Sequence, residues 1–288
     1  MKLSLWGVRG SIASPGSQTV KYGGNTTCLF VETGDRRIII DAGTGIRSLG
    51  KALAEEKKPL NIDLFITHSH SDHIQGFPFF APLYDPNNTI NVYGKLHYEL
   101  TVEQVMATQM EYSYFPLPIG ELPSKPQFHD MEAQIMEFEE TTVRSQMMNH
   151  PVMMQSYRIE YKGKSVVFSG DMEPFYDLMG SPDSIDMAVE RNKVIIDFFH
   201  GADVLVIDCS YTDEEYDSRR GWGHNSVSQA VWFGGESKVK HLVLTHHEPT
   251  RTDDEVEYLL EQAEKVRETY GFEFESLSMA YEGQVFEL

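Results

Sequence analysis

The sequence predicts an α/β protein of four layers, with two sheets packed face to face and helices outside them, in a single domain over residues 1–288. Three observations predict it. The chain has two β-rich halves, each carrying helical patterns. Ile62–Ile66, Asp203–Ile207 and His241–Thr245 are almost continuously apolar, as expected of strands covered on both faces. No low-complexity tract, tandem repeat or linker separates the halves. At 288 residues, with 41% apolar and 24% charged side chains, the chain is long enough to bury a real core.

In order, Lys2–Trp6, Thr27–Val31 and Arg37–Ile40 are short β-rich runs, and Ser14-Pro15-Gly16 and Gly23-Gly24-Asn25 supply turns between the first two. Asp41-Ala42-Gly43-Thr44-Gly45 is a tight turn into a helix near Ile46–Glu56, followed by the strand Ile62–Ile66. Phe77–Pro82 is apolar and broken by proline, and a strand follows near Thr89–Tyr93. Thr101-Val102-Glu103-Gln104 has the form of a capping box opening a helix to about Glu111. Residues 112–130, with Tyr112, Tyr114 and Phe115, form an ordered excursion. These aromatics suit core or dimer contacts better than stacking on a base.

Ser156–Tyr161 and Ser165–Phe168 form a hairpin across Lys162-Gly163-Lys164. A helix spans about Val189–His200. Thr252-Asp253-Asp254-Glu255 opens another, whose Val256, Leu259, Leu260, Ala263 and Val266 recur at helical spacing. Short strands near Glu275–Met279 and Gln284–Glu287 close the chain.

The formal charge is −20, and the basic runs Arg36-Arg37, Lys57-Lys58 and Arg219-Arg220 are short. Such a surface repels a polyanion, so no nucleic-acid polymer is expected as a partner. No apolar run reaches the ~20 residues that span a bilayer, so no membrane is expected. The first ten residues read as a strand, without the apolar core of a signal peptide. Cys28 and Cys209 are isolated, which excludes a disulfide framework. A cytoplasmic location is expected.

Chemistry concentrates in His68-Ser69-His70-Ser71-Asp72-His73, directly after a buried-type strand. Imidazole nitrogen with carboxylate oxygen suits zinc, manganese or iron. In extended chain His68 and His70 point the same way, and a turn then lets Asp72 and His73 address a second ion. Further candidates stand at strand ends or beside prolines: His150, Asp171 and His246.

This pattern, with a leading strand ending in Asp41-Ala42-Gly43, resembles the metallo-β-lactamase superfamily over essentially the whole chain. The resemblance implies an αββα sandwich holding two divalent ions, zinc first, with manganese or iron as alternatives. One ion would be held by His68, His70 and His150, the other by Asp72, His73 and His246, with Asp171 bridging and Asp41 orienting a ligand histidine.

Within the superfamily the chain resembles the phosphodiesterase branch, which includes ribonuclease Z, PhnP-like enzymes and cyclic-nucleotide phosphodiesterases. The complete motif points there, and so does His224 in Trp222-Gly223-His224-Asn225-Ser226, 22 positions before His246. That is where the branch carries an extra catalytic histidine. Asp208, after Val204–Ile207, resembles the acid that supports it. Leu5–Ser11, Tyr22–Thr26, His73–Phe80 and His246–Pro249 resemble a bacterial group of such phosphodiesterases. The implied reaction is attack on phosphorus by a hydroxide bridging the ions, with Asp72, Asp208 and His224 as the catalytic set and His224 assisting the leaving group.

Ribonuclease Z carries an RNA-gripping arm between the third histidine and the bridging aspartate. Here His150 and Asp171 are only 21 positions apart, and a hairpin fills the gap. The expected substrate is therefore a small, cyclic phosphodiester, either a cyclic nucleotide or a cyclic ribose phosphate. The alternatives are a lactonase or thiolesterase, then a ribonuclease Z-like endonuclease or a non-catalytic metal sensor. Relatives are commonly dimers, which implies a homodimer. His247 is expected to contact substrate or face solvent, and Arg251 to be a solvated loop arginine rather than a phosphate ligand.

Overall fold

The computed structural model describes residues 1–132, 134–176 and 185–288. The first sheet contains β1 (Lys2–Gly7), β2 (Cys28–Glu32), β3 (Arg37–Ile40), β4 (Asn61–Ile66), β5 (Thr89–Gly94) and β6 (Gln127–Asp130). The second contains β7 (Ile135–Glu137), β8 (Thr141–Met147), β9 (Gln155–Tyr161), β10 (Lys164–Phe168), β11 (Val204–Asp208), β12 (His241–Thr245) and β13 (Ser276–Met279). The last strand, β14 (Val285–Glu287), returns to the first sheet. The strand orders are β14-β1-β2-β3-β4-β5-β6 and β13-β12-β11-β10-β9-β8-β7.

The apolar strands are apolar because alternate residues serve different layers. Ile38, Ile40 and Phe65 join Val166, Phe168, Val204, Val206 and Val243 in a core between the sheets. Ile39, Leu64 and Ile66 point the other way, against Ile46, Leu49 and Leu53 of α1 (Gly45–Ala54) and Val102 and Met106 of α3 (Val102–Thr108). In the second sheet, Leu205, Ile207, Leu242 and Leu244 pack against α5 (Lys193–Phe199), α7 (Val227–Glu236) and α8 (Asp253–Tyr270). This is the four-layer αββα sandwich.

Both expected capping boxes form, at Thr101 and Thr252. The helix expected over 189–200 is divided into α4 (Ile185–Arg191) and α5 at the buried Asn192. The Asn192 carboxamide takes the Phe175 N–H at 2.8 Å and donates to the carbonyls of Tyr176 and Ala188. It thereby satisfies loop groups at the expense of helical regularity. The helix after Thr101 stops at Thr108, and the excursion that follows ends in the edge strand β6.

β3–β4–β5 and β10–β11–β12–β13 are parallel runs. Each run delivers its carboxyl ends to one edge, the usual place for a site in an α/β sheet. Asp41, His68, Asp171, Asp208 and His246 lie at or just beyond those ends.

Candidate metal centre

The histidine run leaves β4 extended, with His70 at φ −63°, ψ 148° capping the single-turn helix α2 (Ser71–Ile74). That turn rotates Asp72 and His73 away from His68 and His70. His150 comes from the link between β8 and β9, Asp171 follows β10, and His246 follows β12. Two overlapping groups result, His68, His70, His150 and Asp171, and Asp72, His73, Asp171 and His246. Within each group one donor atom per residue lies within 4.8 Å of the others.

Asp171 Oδ2 lies 3.4 Å from His68 Nε2 and 3.2 Å from both His73 Nε2 and His246 Nε2. Asp72 Oδ2 is 3.3 Å from the same two nitrogens of His73 and His246. His70 Nδ1 stands 3.2 Å from His150 Nε2. Nevertheless His68 Nε2, His73 Nε2 and Asp171 Oδ1 are buried without a hydrogen-bond partner. Buried polar atoms left in this way are what a cation would satisfy, and mixed imidazole and carboxylate donors fit zinc, manganese or iron.

The electrostatics divide the cluster. Burial, reinforced by His73, holds His68 well below its usual pKa and therefore neutral. Burial also lowers His70 and His150. Burial opposes charge on His73 and His246, but the Asp171 and Asp72 carboxylates outweigh it and hold both well above the usual value. Asp171, although buried, is held well below its usual range by His246, His73 and His68.

A second layer fixes the rings. Asp41 Oδ2 lies 2.7 Å from His73 Nδ1, and the same carboxylate accepts the Thr67 N–H. His150 Nδ1 donates to the Gly223 carbonyl at 2.9 Å. His246 Nδ1 meets Ser210 Oγ at 2.9 Å, and that hydroxyl donates to Asp208 Oδ1. Each contact leaves the other ring nitrogen aimed into the cluster. Ser11 N–H donates to Asp72 Oδ2 at 2.7 Å.

His224 adds a group beyond this set. Its Nδ1 lies 3.0 Å from Asp208 Oδ2, and its ring stacks on His246 with centroids 4.7 Å apart. Asp208 is fully buried, and its Oδ2 also accepts the N–H groups of Met172 and Asn225.

The family model described as a beta-lactamase superfamily domain matches residues 36–247. The chain belongs to the metallo-β-lactamase superfamily. It is 24% identical to the ribonuclease Z of Shouchella clausii over 69% of this chain and 73% of that protein. The metallo-β-lactamase fold protein YhfI from Bacillus subtilis superposes with a TM-score of 0.70 at 20% identity, covering 99% of both chains. A diphosphatase from the PhnP family superposes at 0.67 with 17% identity, covering 100% of this chain and 97% of that one. The chain is thus a metallo-β-lactamase-fold hydrolase related to ribonuclease Z. Among its described residues no helix is long and apolar enough to cross a membrane.

Every superfamily motif residue singled out in the sequence reaches this cluster or its second layer. Glu173 did not announce itself. Its buried carboxylate accepts the Gly221 N–H at 2.9 Å, the Gly223 N–H at 3.1 Å and the Tyr216 hydroxyl at 2.6 Å. Gly221 and Gly223 both have positive φ, 83° and 85°. Glu173 thus clamps the loop that supplies both the carbonyl under His150 and His224 itself. Only its place two residues after Asp171 hints at this in the sequence.

Two expectations are corrected. His247 neither faces solvent nor touches the cluster: it is fully buried, with Nε2 2.8 Å from the Ala280 carbonyl, and burial lowers its pKa to about 3. Arg251 is not solvated: it is buried, donating to the Ser210 carbonyl and the Glu215 carboxylate at 2.7 Å. In the aromatic excursion, Phe115 packs on the core beside α1 and α3, while Tyr112 and Tyr114 are exposed.

Proposed function

We propose that the chain is a dinuclear metal-dependent phosphodiesterase acting on a small phosphodiester, a cyclic nucleotide or a cyclic ribose phosphate. The observation that carries this reading is the His224–Asp208 pair stacked beside His246, outside the two donor groups. His68, His70 and His150 would hold one ion and Asp72, His73 and His246 the other, with Asp171 in reach of both groups; zinc is the first choice and manganese or iron the alternatives. Such ions supply Lewis acidity that activates water and offsets charge on the phosphoryl oxygens.

The chain's own residues do the rest. Asp72 and Asp171 present a fixed anionic wall, Asp41 and Ser210 hold His73 and His246 in register, and the clamped 221–223 loop sets His224. Water adds to phosphorus and gives up a proton to solvent, the bond from phosphorus to the leaving oxygen breaks, and that oxygen takes a proton from His224, which solvent then replaces. Asp208, 3.0 Å from His224 Nδ1, orients the imidazole so that its other nitrogen faces that oxygen.

A tRNA substrate is disfavoured. Residues 151–170, where an RNA-gripping arm would sit, contain β9 and β10 and the links to them, and the net charge of −20 repels a polyanion. A cytoplasmic location agrees with two free, buried cysteines, and a homodimer completes the proposal. The test is turnover by zinc- or manganese-loaded protein of cyclic nucleotides, cyclic ribose phosphates, bis-aryl phosphodiesters, a lactone and a thioester. Hydrolysis of phosphodiesters, crippled in His224→Ala, is expected. Turnover of only the lactone or thioester, tolerant of His224→Ala, would assign the second reading.

A further inference from the structure

A cavity of about 190 Å³ adjoins the rings of His224 and His246. Its other walls include Ser11, Tyr211, Arg219, Trp222 and Glu248. The function proposed above does not use it. Its chemistry differs from that of the cluster it borders.

Trp222 is 60% exposed, whereas Trp232 is fully buried and Trp6 partly so. Trp222 thus presents an indole face to the cavity two residues from His224. Arg219 is the second feature. Its guanidinium lies 4.8 Å above the Tyr211 ring, and that ring meets His224 edge-on at 5.8 Å. Its nearest carboxylate is Glu215, at 3.8 Å. That 3.8 Å contact, to Glu215 Oε1, is too long for a hydrogen bond, while Arg251 and the Thr212 N–H take Oε2 at 2.7 and 2.8 Å. Among the described residues the Arg219 guanidinium makes no hydrogen bond, and its donors face the cavity in a chain with a net charge of −20. Glu248 adds an acceptor at the same wall; among the described residues only Oε2 of its carboxylate accepts hydrogen bonds, from Thr250.

An open indole face, a stacked guanidinium with spare donors and a carboxylate together match a nucleobase: a flat π surface with acceptors and donors around its edge. A bare sugar covers an indole with C–H groups but presents no planar edge of donors and acceptors for Arg219 and Glu248 to read. We propose that this cavity is a nucleobase subsite on the leaving-group side, with the base stacked on Trp222 and its edge read by Arg219 and Glu248. The substrate is then a nucleotide and not a base-free cyclic ribose phosphate. Its placement on the leaving-group side rests on the phosphodiesterase reading, because His224 marks that side.

The test is Trp fluorescence of the metal-loaded protein titrated with AMP, ribose 5-phosphate and inorganic phosphate. AMP is expected to quench emission and to bind about tenfold or more tighter than ribose 5-phosphate, the scale of one stacked base. Trp222→Leu should abolish the quench and the AMP advantage, and Arg219→Gln should weaken AMP binding several-fold. Circular dichroism and metal content serve as controls of folding. Equal binding of AMP and ribose 5-phosphate, or an AMP advantage that survives Trp222→Leu, would overturn the subsite. Turnover separates the two proposals. Equal kcat/KM for 3′,5′-cyclic AMP and a base-free cyclic ribose phosphate would sink the subsite and leave the phosphodiesterase reading standing. Trp222-dependent AMP binding without hydrolysis of any phosphodiester would do the reverse.

Discussion

The two halves of the cluster share Asp171 but are built on different principles. His68, His70 and His150 form a neutral half: burial lowers all three pKa values, and His70 and His150 remain partly accessible. Asp72, His73 and His246 form a half that has its own carboxylate, anionic once its histidines give up their protons, buried throughout and braced by Asp41 and Ser210. The neutral half is open to solvent and held by a backbone carbonyl, that of Gly223. In the proposed two-ion site, one position is then set by charge, whereas the other depends on a loop. The anionic half should fill first and empty last.

The largest effect should come from the residue that both halves share. Asp171→Ala should empty both positions and reduce phosphodiester turnover to background, as metal analysis of the purified variant would show. His224→Ala should retain both ions yet lower kcat by ~10²–10⁴-fold for an alkoxide leaving group. The loss should be much smaller for p-nitrophenolate, which needs no proton. Equal losses for both leaving groups would remove His224 from proton donation.

Asp41→Asn sharpens the comparison directly. It should weaken metal binding ~10–100-fold, and only in the anionic half. Competitive chelation should then show the order of loss reversed. Glu173→Gln acts on the neutral half through the 221–223 loop. It should lower kcat by about tenfold, from one to two weakened buried hydrogen bonds, and speed loss of the weaker ion, with KM little changed. A loss confined to thermal stability would make Glu173 a structural strut only.

The smallest effect is one of pH. In the metal-free protein the carboxylates hold His73 and His246 above their usual pKa, so both carry protons near neutrality. A metal must displace them, and affinity therefore rises with pH. Calorimetry in buffers of differing ionisation enthalpy should show protons released, chiefly in the first, tighter phase.

Much of the fold was legible because the apolar strands advertise burial on both faces, and the ligands stand at their ends. Other parts were hidden for physical reasons. β8, Thr141–Met147, is Thr-Thr-Val-Arg-Ser-Gln-Met, in which two of the three buried positions, Thr141 and Ser145, are polar and mute the strand pattern. α7 contains Gly234 and Gly235, poor helix formers, because Leu242 and Phe272 press against the positions where side chains would begin. In the site, the motif histidines were plain, but His247, Arg251 and Glu173 were not. Each is a lone polar residue in a loop, where solvation is the ordinary expectation. Each is buried instead because backbone groups from distant segments, at Ala280, Ser210 and Gly221–Gly223, satisfy it. Such partners leave no trace in local sequence.

The most direct test couples metal stoichiometry to turnover in one preparation: ions per chain by mass spectrometry, with hydrolysis of a cyclic nucleotide followed as zinc is titrated into the metal-free protein. Two ions per chain are expected, bound in unequal phases, with hydrolysis appearing only as the second position fills. Saturation at a single ion, or full metal loading without phosphodiester hydrolysis, would contradict the account.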